Sequence, residues 1–74
     1  MTIEVRLFAT FRNGREKKQS MDLKEGSKVA DILDILNINV EELGILLING
    51  RDGSVNSVLK ESDVVALFPP VGGG

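Results

Sequence analysis

Apolar and polar residues alternate from Thr2 to Phe11, with Ile3, Val5, Leu7, Ala9 and Phe11 on one side and Thr2, Glu4, Arg6, Phe8 and Thr10 on the other. A period of two is that of a half-buried strand. Asn13-Gly14 follows, a dipeptide that tolerates the positive φ angles of a tight hairpin turn. The return strand is predicted over Lys18 to Lys24, with Met21 and Leu23 toward the core and Ser20 and Asp22 outward. At Gly26-Ser27 the period changes. Val29, Ile32, Leu33 and Leu36 fall at i, i+3, i+4 and i+7, one stripe of an amphipathic helix, while Lys28, Asp31 and Asp34 take the solvent side. The helix is predicted over Ser27 to Asn37, with the Ser27 hydroxyl as N-cap and Asn37 as terminator. Ala30 stands where a capping box would have Glu or Gln, so this cap is partial.

After a polar connection through Glu41-Glu42, Ile45–Ile48 reads as a mostly buried strand. It ends at Asn49-Gly50, and Asp52-Gly53 follows, so a tight reversal leads into a short strand or irregular segment over Val55 to Leu59. Lys60 to Asp63 forms a further turn before a last strand, Val64–Phe68, with Val65 and Leu67 facing inward. The order is strand, strand, helix, strand, short strand, strand. A right-handed crossover through the helix sets the last strands beside the first hairpin. One mixed sheet of four to five strands packed on one main helix buries a single apolar stripe economically. The expected class is α+β with a β-grasp, ubiquitin-like layout; a ferredoxin-like variant lacking a helix fits the same order. The domain is expected over residues 1–68, followed by a flexible tail over residues 69–74.

Composition narrows the chemistry. Seventy-four residues, 42% of them hydrophobic and 27% charged, make one domain with a small core. A chain of this size buries roughly 60% of its unfolded surface. There is no Cys and no His, hence no disulfide, thiolate nucleophile, imidazole base, Cys/His zinc site or Ser-His-Asp triad. A net charge of −2 argues against nucleic acid, and the basic stretch from Arg12 to Lys18 suits a solvated hairpin tip. The longest apolar run, Ile45–Ile48, is far short of the ~20 residues that span a bilayer. Charges at Glu4 and Arg6 stand where a signal peptide needs an apolar stretch, so a cytoplasmic protein is expected. Glu41, Glu42 and Asp52 are carboxylates that no spacing draws together, and no metal site is expected.

The tail, Pro69-Pro70-Val71-Gly72-Gly73-Gly74, is the unusual feature. Neither proline donates a ladder hydrogen bond, so they stop the strand and favour an extended exit. Six residues at ~3.3–3.6 Å each reach about 20 Å from the sheet. Glycines add nothing to a core, but without Cβ atoms they fit a channel that excludes every other side chain. Two readings follow: an inert flexible end, or a segment that presents its carboxylate inside another protein. In the second the chain is the substrate, and activation of the carboxylate as an acyl-adenylate lets sulfur or an amine attack the glycyl carbonyl.

Phe68-Pro69-Pro70-Val71 followed by glycines, with Leu7-Phe8-Ala9 in the opening strand, Asn49-Gly50 at a strand end and Asp63 before the last strand, resembles the sulfur-carrier family of ubiquitin-like proteins. Within it the likeness is to the small subunits of molybdopterin synthase. The resemblance implies that Gly74 is adenylated by an E1-like adenylyltransferase using ATP and converted to a thiocarboxylate, with Gly73 as its required neighbour. The sulfur then goes to a pterin precursor in the synthase large subunit, with which the small subunit forms a heterotetramer. The chain itself would bind no cofactor and contribute no catalytic side chain. Gly72 departs mildly, since that position often holds another small residue. The same activation chemistry serves a protein modifier joined to lysines through Gly74, and a thiamine-pathway carrier, although the Pro-Pro-Val exit fits the latter less well.

Ordering three glycines costs about 3–6 kcal/mol, so docking needs a surface as well. Alternation places Phe8 on the outer face of the first strand and Ala66 and Phe68 on that of the last, strands that are neighbours in a β-grasp sheet. Burying both rings would return about 3–6 kcal/mol. These three residues are the candidate partner-binding patch; the alternative is that Phe68 folds over the sheet edge and Phe8 covers a minor cluster.

Overall fold

A computed structural model describes residues 1–70; the expectations placed on Val71, Gly72, Gly73 and Gly74 lie outside the described residues. Five strands and one α-helix follow in the order β1 (Thr2–Leu7), β2 (Lys18–Asp22), α1 (Val29–Leu36), β3 (Ile45–Ile48), β4 (Arg51–Asp52) and β5 (Val64–Phe68). They form one sheet ordered β2-β1-β5-β3-β4, in which β1 and β5 run parallel and every other pair is antiparallel. This is the β-grasp, ubiquitin-like layout that the element order predicts. Ile3, Val5 and Leu7 of β1 and Val65 and Leu67 of β5 are fully buried at 0% exposure, facing Val29, Ile32 and Leu33 of α1. Leu59, from the irregular stretch before β5, closes one side of this core and Phe11 belongs to it as well.

The first strand is shorter than the alternation suggests. It ends at Leu7, and Ala9, in the left-handed region at φ 53°, opens a 3₁₀ turn over Ala9–Arg12. Ala9 is therefore exposed instead of facing inward, while Phe11 reaches the core through the turn. Asn13-Gly14 does not close a two-residue hairpin: Gly14 has φ 72° but Asn13 has φ −65°, and residues 8–17 make one long connection. Arg15, read from sequence as a solvated charge, is half-buried and ties this connection to α1. Its guanidinium donates to the Leu36 carbonyl from Nε (3.2 Å) and Nη2 (3.0 Å), at the helix end where a cation is favoured.

The helix begins two residues after Ser27. Lys28 is the N-cap residue, and the Asp31 carboxylate accepts its N–H at 2.8 Å, so Asp31 rather than Ala30 occupies the capping-box position. The Ser27 carbonyl instead accepts from the Leu59 N–H at 2.8 Å, fastening the loop before β5. Asn37 ends the helix in the left-handed conformation, as predicted. Strand β3 is less buried than its composition suggests. Only Leu46 is in the core, and Ile45 is 44% exposed, because the helix covers one face of the sheet alone.

Asn49 and Gly50, at φ 53° and 81°, join Ile48 to Arg51 in a two-residue turn with both φ angles positive. The Asn49 side chain also knots the turn to β5. Its oxygen accepts the Val64 N–H at 2.9 Å and its nitrogen donates to Asp63 Oδ1 at 2.9 Å. Asn49→Ala is expected to lower the unfolding free energy by roughly 2–3 kcal/mol, from the left-handed backbone cost and the lost side-chain bonds. Asn49→Gly, which keeps the backbone conformation and loses only the side-chain bonds, is expected to cost about 1 kcal/mol. Urea denaturation checks this; equal losses for both variants would contradict it.

Candidate functional site

The parallel pairing of β1 with β5 sets Leu7 opposite Leu67, so the next residues along both strands emerge side by side. The Phe8 N–H donates to the Leu67 carbonyl at 3.2 Å and carries the ladder one residue past β1. The Phe8 and Phe68 rings consequently stack, with centroids 4.2 Å apart and planes 9° from parallel. Arg12, delivered by the 3₁₀ turn, places its guanidinium carbon 5.1 Å from the Phe8 ring centroid. Its Nε donates to the Leu7 carbonyl at 2.7 Å, which fixes the side chain beside the ring. A cation in that position is attracted by the ring's negative face.

On the other flank, β3 lies antiparallel to β5 with Ile45 opposite Phe68 and Leu47 opposite Ala66. The face away from the helix thus carries Phe8, Phe68, Ala66, Ile45 and Leu47 together. The structure brings all three sequence-predicted patch residues onto this face. Phe68 does not fold over a sheet edge, because β5 lies between β1 and β3 and its ring stacks on Phe8. The two rings already cover part of one another, so docking a partner gains less than two complete Phe burials; Ile45 supplies further apolar area. Sequence reasoning missed Ile45 and Leu47 because all four residues of β3 are apolar, which hides the alternation. It missed Arg12 because the 3₁₀ turn breaks the period it relied on.

The chain leaves β5 directly after Phe68, next to the start of β3. The Phe68 carbonyl accepts the Gly44 N–H at 2.8 Å, and Pro69, with no N–H, ends the ladder there. Pro69 is half-buried and Pro70 exposed. The carboxylates weighed from sequence serve local structure or lie apart: Glu42 Oε1 accepts the Asn39 N–H at 2.9 Å at the start of a 3₁₀ turn, and Asp52 sits on the edge strand β4. Among the described residues no helix is long and apolar enough to cross a membrane.

Residues 5–74 match the model of the ThiS family. Among solved structures, the chain is 30% identical to a putative molybdopterin converting factor, subunit 1, from Pyrococcus furiosus, with a TM-score of 0.77 over 96% of this chain and 99% of that one. SAMP1 from Haloferax volcanii is 26% identical, with a TM-score of 0.79 over the whole of both chains. A chain in the complex of subunits 1 and 2 of the molybdopterin-converting factor from Helicobacter pylori is 25% identical, with a TM-score of 0.69 over the whole of both chains.

A double-mutant cycle tests the stack itself. Phe8→Ala and Phe68→Ala are expected to couple by about 0.5–1.5 kcal/mol in unfolding free energy, the range for stacked aromatic pairs. Additive losses would mean that the rings do not support each other in solution.

Proposed function

The chain belongs to the ThiS family of ubiquitin-like sulfur carriers, and from that premise we propose that it is the small, sulfur-donating subunit of a molybdopterin synthase. One observation carries the reading: the stacked Phe8–Phe68 pair stands beside the Pro69-Pro70 exit, so an apolar docking face and the root of a glycine tail share one surface. The Pro-Pro-Val exit and the likeness to subunit 1 of the Pyrococcus furiosus converting factor support the molybdopterin branch. The Helicobacter pylori relative is found in complex with its subunit 2, and an equivalent large subunit is the partner proposed for this face.

In this mechanism the Gly74 carboxylate attacks the α-phosphorus of ATP in an E1-like partner, displacing pyrophosphate and forming an acyl-adenylate. Hydrosulfide then attacks the glycyl carbonyl, displaces AMP and leaves a thiocarboxylate on Gly74. Docked on the large subunit, each tail delivers one sulfur: the thiocarboxylate sulfur takes the place of an oxygen substituent on one carbon of the pterin precursor, water cleaves the acyl C–S bond and restores the Gly74 carboxylate, and a second loaded chain supplies the other sulfur of the dithiolene. Gly72 and Gly73 lack Cβ atoms and suit a narrow channel in the partner, and Pro69 and Pro70 favour an extended exit from the sheet. Phe8, Ala66 and Phe68 dock the partner, and their burial offsets the entropy of ordering the glycines. The chain supplies the acyl group, and its partners supply the acid–base and nucleotide chemistry.

A second reading, a modifier conjugated to lysines through Gly74, is favoured by the likeness to SAMP1, the small archaeal modifier protein 1 of Haloferax volcanii. Reconstitution with the activating enzyme, ATP, a sulfur source, the large subunit and pterin precursor separates the two. Deleting Gly74 is expected to abolish dithiolene product without changing the melting temperature. Undiminished product from the truncated chain would overturn the proposal, and lysine-linked ladders on denaturing gels without pterin product would favour the modifier.

A further inference from the structure

Gly44, immediately before β3, has a geometry unlike that of the other described glycines. Gly14, Gly26 and Gly50 have positive φ angles of 72°, 85° and 81° and open space where a Cβ would stand, so they serve the backbone's own conformation. At Gly53 the three atoms nearest a Cβ all belong to the Ile48 side chain, with Cδ1 at 2.7 Å and Cγ1 at 2.8 Å, and none is backbone. Gly44 does not lie in the left-handed region, and its conformation is open to any residue. Yet a Cβ there would fall 2.6 Å from Pro70 Cα and 2.7 Å from both the carbonyl carbon and oxygen of Pro69. All three are backbone atoms, so the obstruction is not relieved by turning a side chain.

The surrounding hydrogen bonds explain the closeness. Ile45 lies opposite Phe68, and the Gly44 N–H also reaches the Phe68 carbonyl at 2.8 Å, which draws the start of β3 against the chain that follows Phe68. Pro69 has no N–H to donate toward β3, so it adds no ladder bond of that kind to the close contact. We infer that Gly44 is the positioning residue for the tail: its missing Cβ lets Pro69 and Pro70 lie against the start of β3, which fixes the direction in which the chain leaves the sheet beside Phe68. It acts through the prolines and touches no reacting atom. A misdirected root leaves the docking face intact but moves the carboxylate, and displacements of about 1 Å at a reacting group cost up to 10²-fold in rate.

The contact itself is independent of sulfur chemistry, and only the catalytic arm of its test rests on the function proposed above. Two-dimensional NMR of the full chain is expected to show cross-peaks from Gly44 to the Pro69 and Pro70 protons. In Gly44→Ala these are expected to vanish while the methyl shifts of Leu7 and Leu67 stay in place. With the E1-like enzyme, ATP–pyrophosphate exchange on Gly44→Ala is expected to show kcat roughly 10- to 100-fold lower and KM within about twofold, since the docking face is untouched. A purely structural role would instead lower the melting temperature and leave the kcat of the folded fraction unchanged. Should Gly44→Ala fail to fold, the double variant Pro69→Gly/Pro70→Gly frees the same exit without altering β3, and a fall in kcat at constant KM is again expected. Retained cross-peaks in Gly44→Ala, or unchanged kcat in the folded variants, overturns the inference. If the wild-type chain shows no exchange at all, the carrier reading fails, while the cross-peaks still decide the role of Gly44.

Discussion

The parallel pairing of β1 with β5 is the constraint on which the rest of the structure depends. It brings the opening strand and the last strand together at the centre of the sheet, buries Ile3, Val5, Leu7, Val65 and Leu67 against α1, and brings Phe8 beside Phe68 on the opposite face. A parallel pair needs a long crossover, and here everything from β2 to β4 lies within it. The core and the candidate docking face are thus two sides of one pairing. A slip of one residue in either strand would turn its core residues outward and separate the rings.

Under the proposed function, a β-grasp sheet with a glycine-rich tail meets a problem of entropy. Three glycines cost about 3–6 kcal/mol to order, and side chains that a narrow channel would exclude cannot compensate within the tail. The compensation has to come from a rigid surface at its root. The stacked rings, the neighbouring Ile45 and the Arg12 guanidinium would provide such a surface, and the bonds from the Phe8 N–H to the Leu67 carbonyl and from Arg12 Nε to the Leu7 carbonyl hold it without the tail. Rigidity matters because an ordered docking face loses little further freedom on binding.

Much of the fold was legible because its elements have clean periods. The i, i+3, i+4, i+7 stripe of α1 and the inward Val65 and Leu67 of β5 follow directly from the spacing of apolar residues. What was hidden arose where one signal stood for two structures. Phe11 continues the alternation of β1 but reaches the core through a 3₁₀ turn, and Ala9 adopts a backbone conformation its residue type does not announce. Asn13-Gly14 and Asn49-Gly50 are the same dipeptide, yet only the second closes a two-residue hairpin, because there the flanking residues pair across β3 and β4. Of the candidate site, Phe8, Ala66 and Phe68 were readable from alternation, whereas Ile45 was masked by an all-apolar strand. Gly44 carries no local signal, since its reason for lacking a side chain lies some 25 residues away in the prolines.

The proposed carrier chemistry places a thiocarboxylate on Gly74. Intact mass spectrometry tests it most directly, after incubation of the full chain with ATP, a sulfur source and an extract of the cells it comes from. A sulfur carrier is expected to show a mass gain equal to one oxygen replaced by sulfur, localised to the peptide that ends at Gly74. An unchanged mass, in an extract that converts a reference carrier in the same tube, would contradict it.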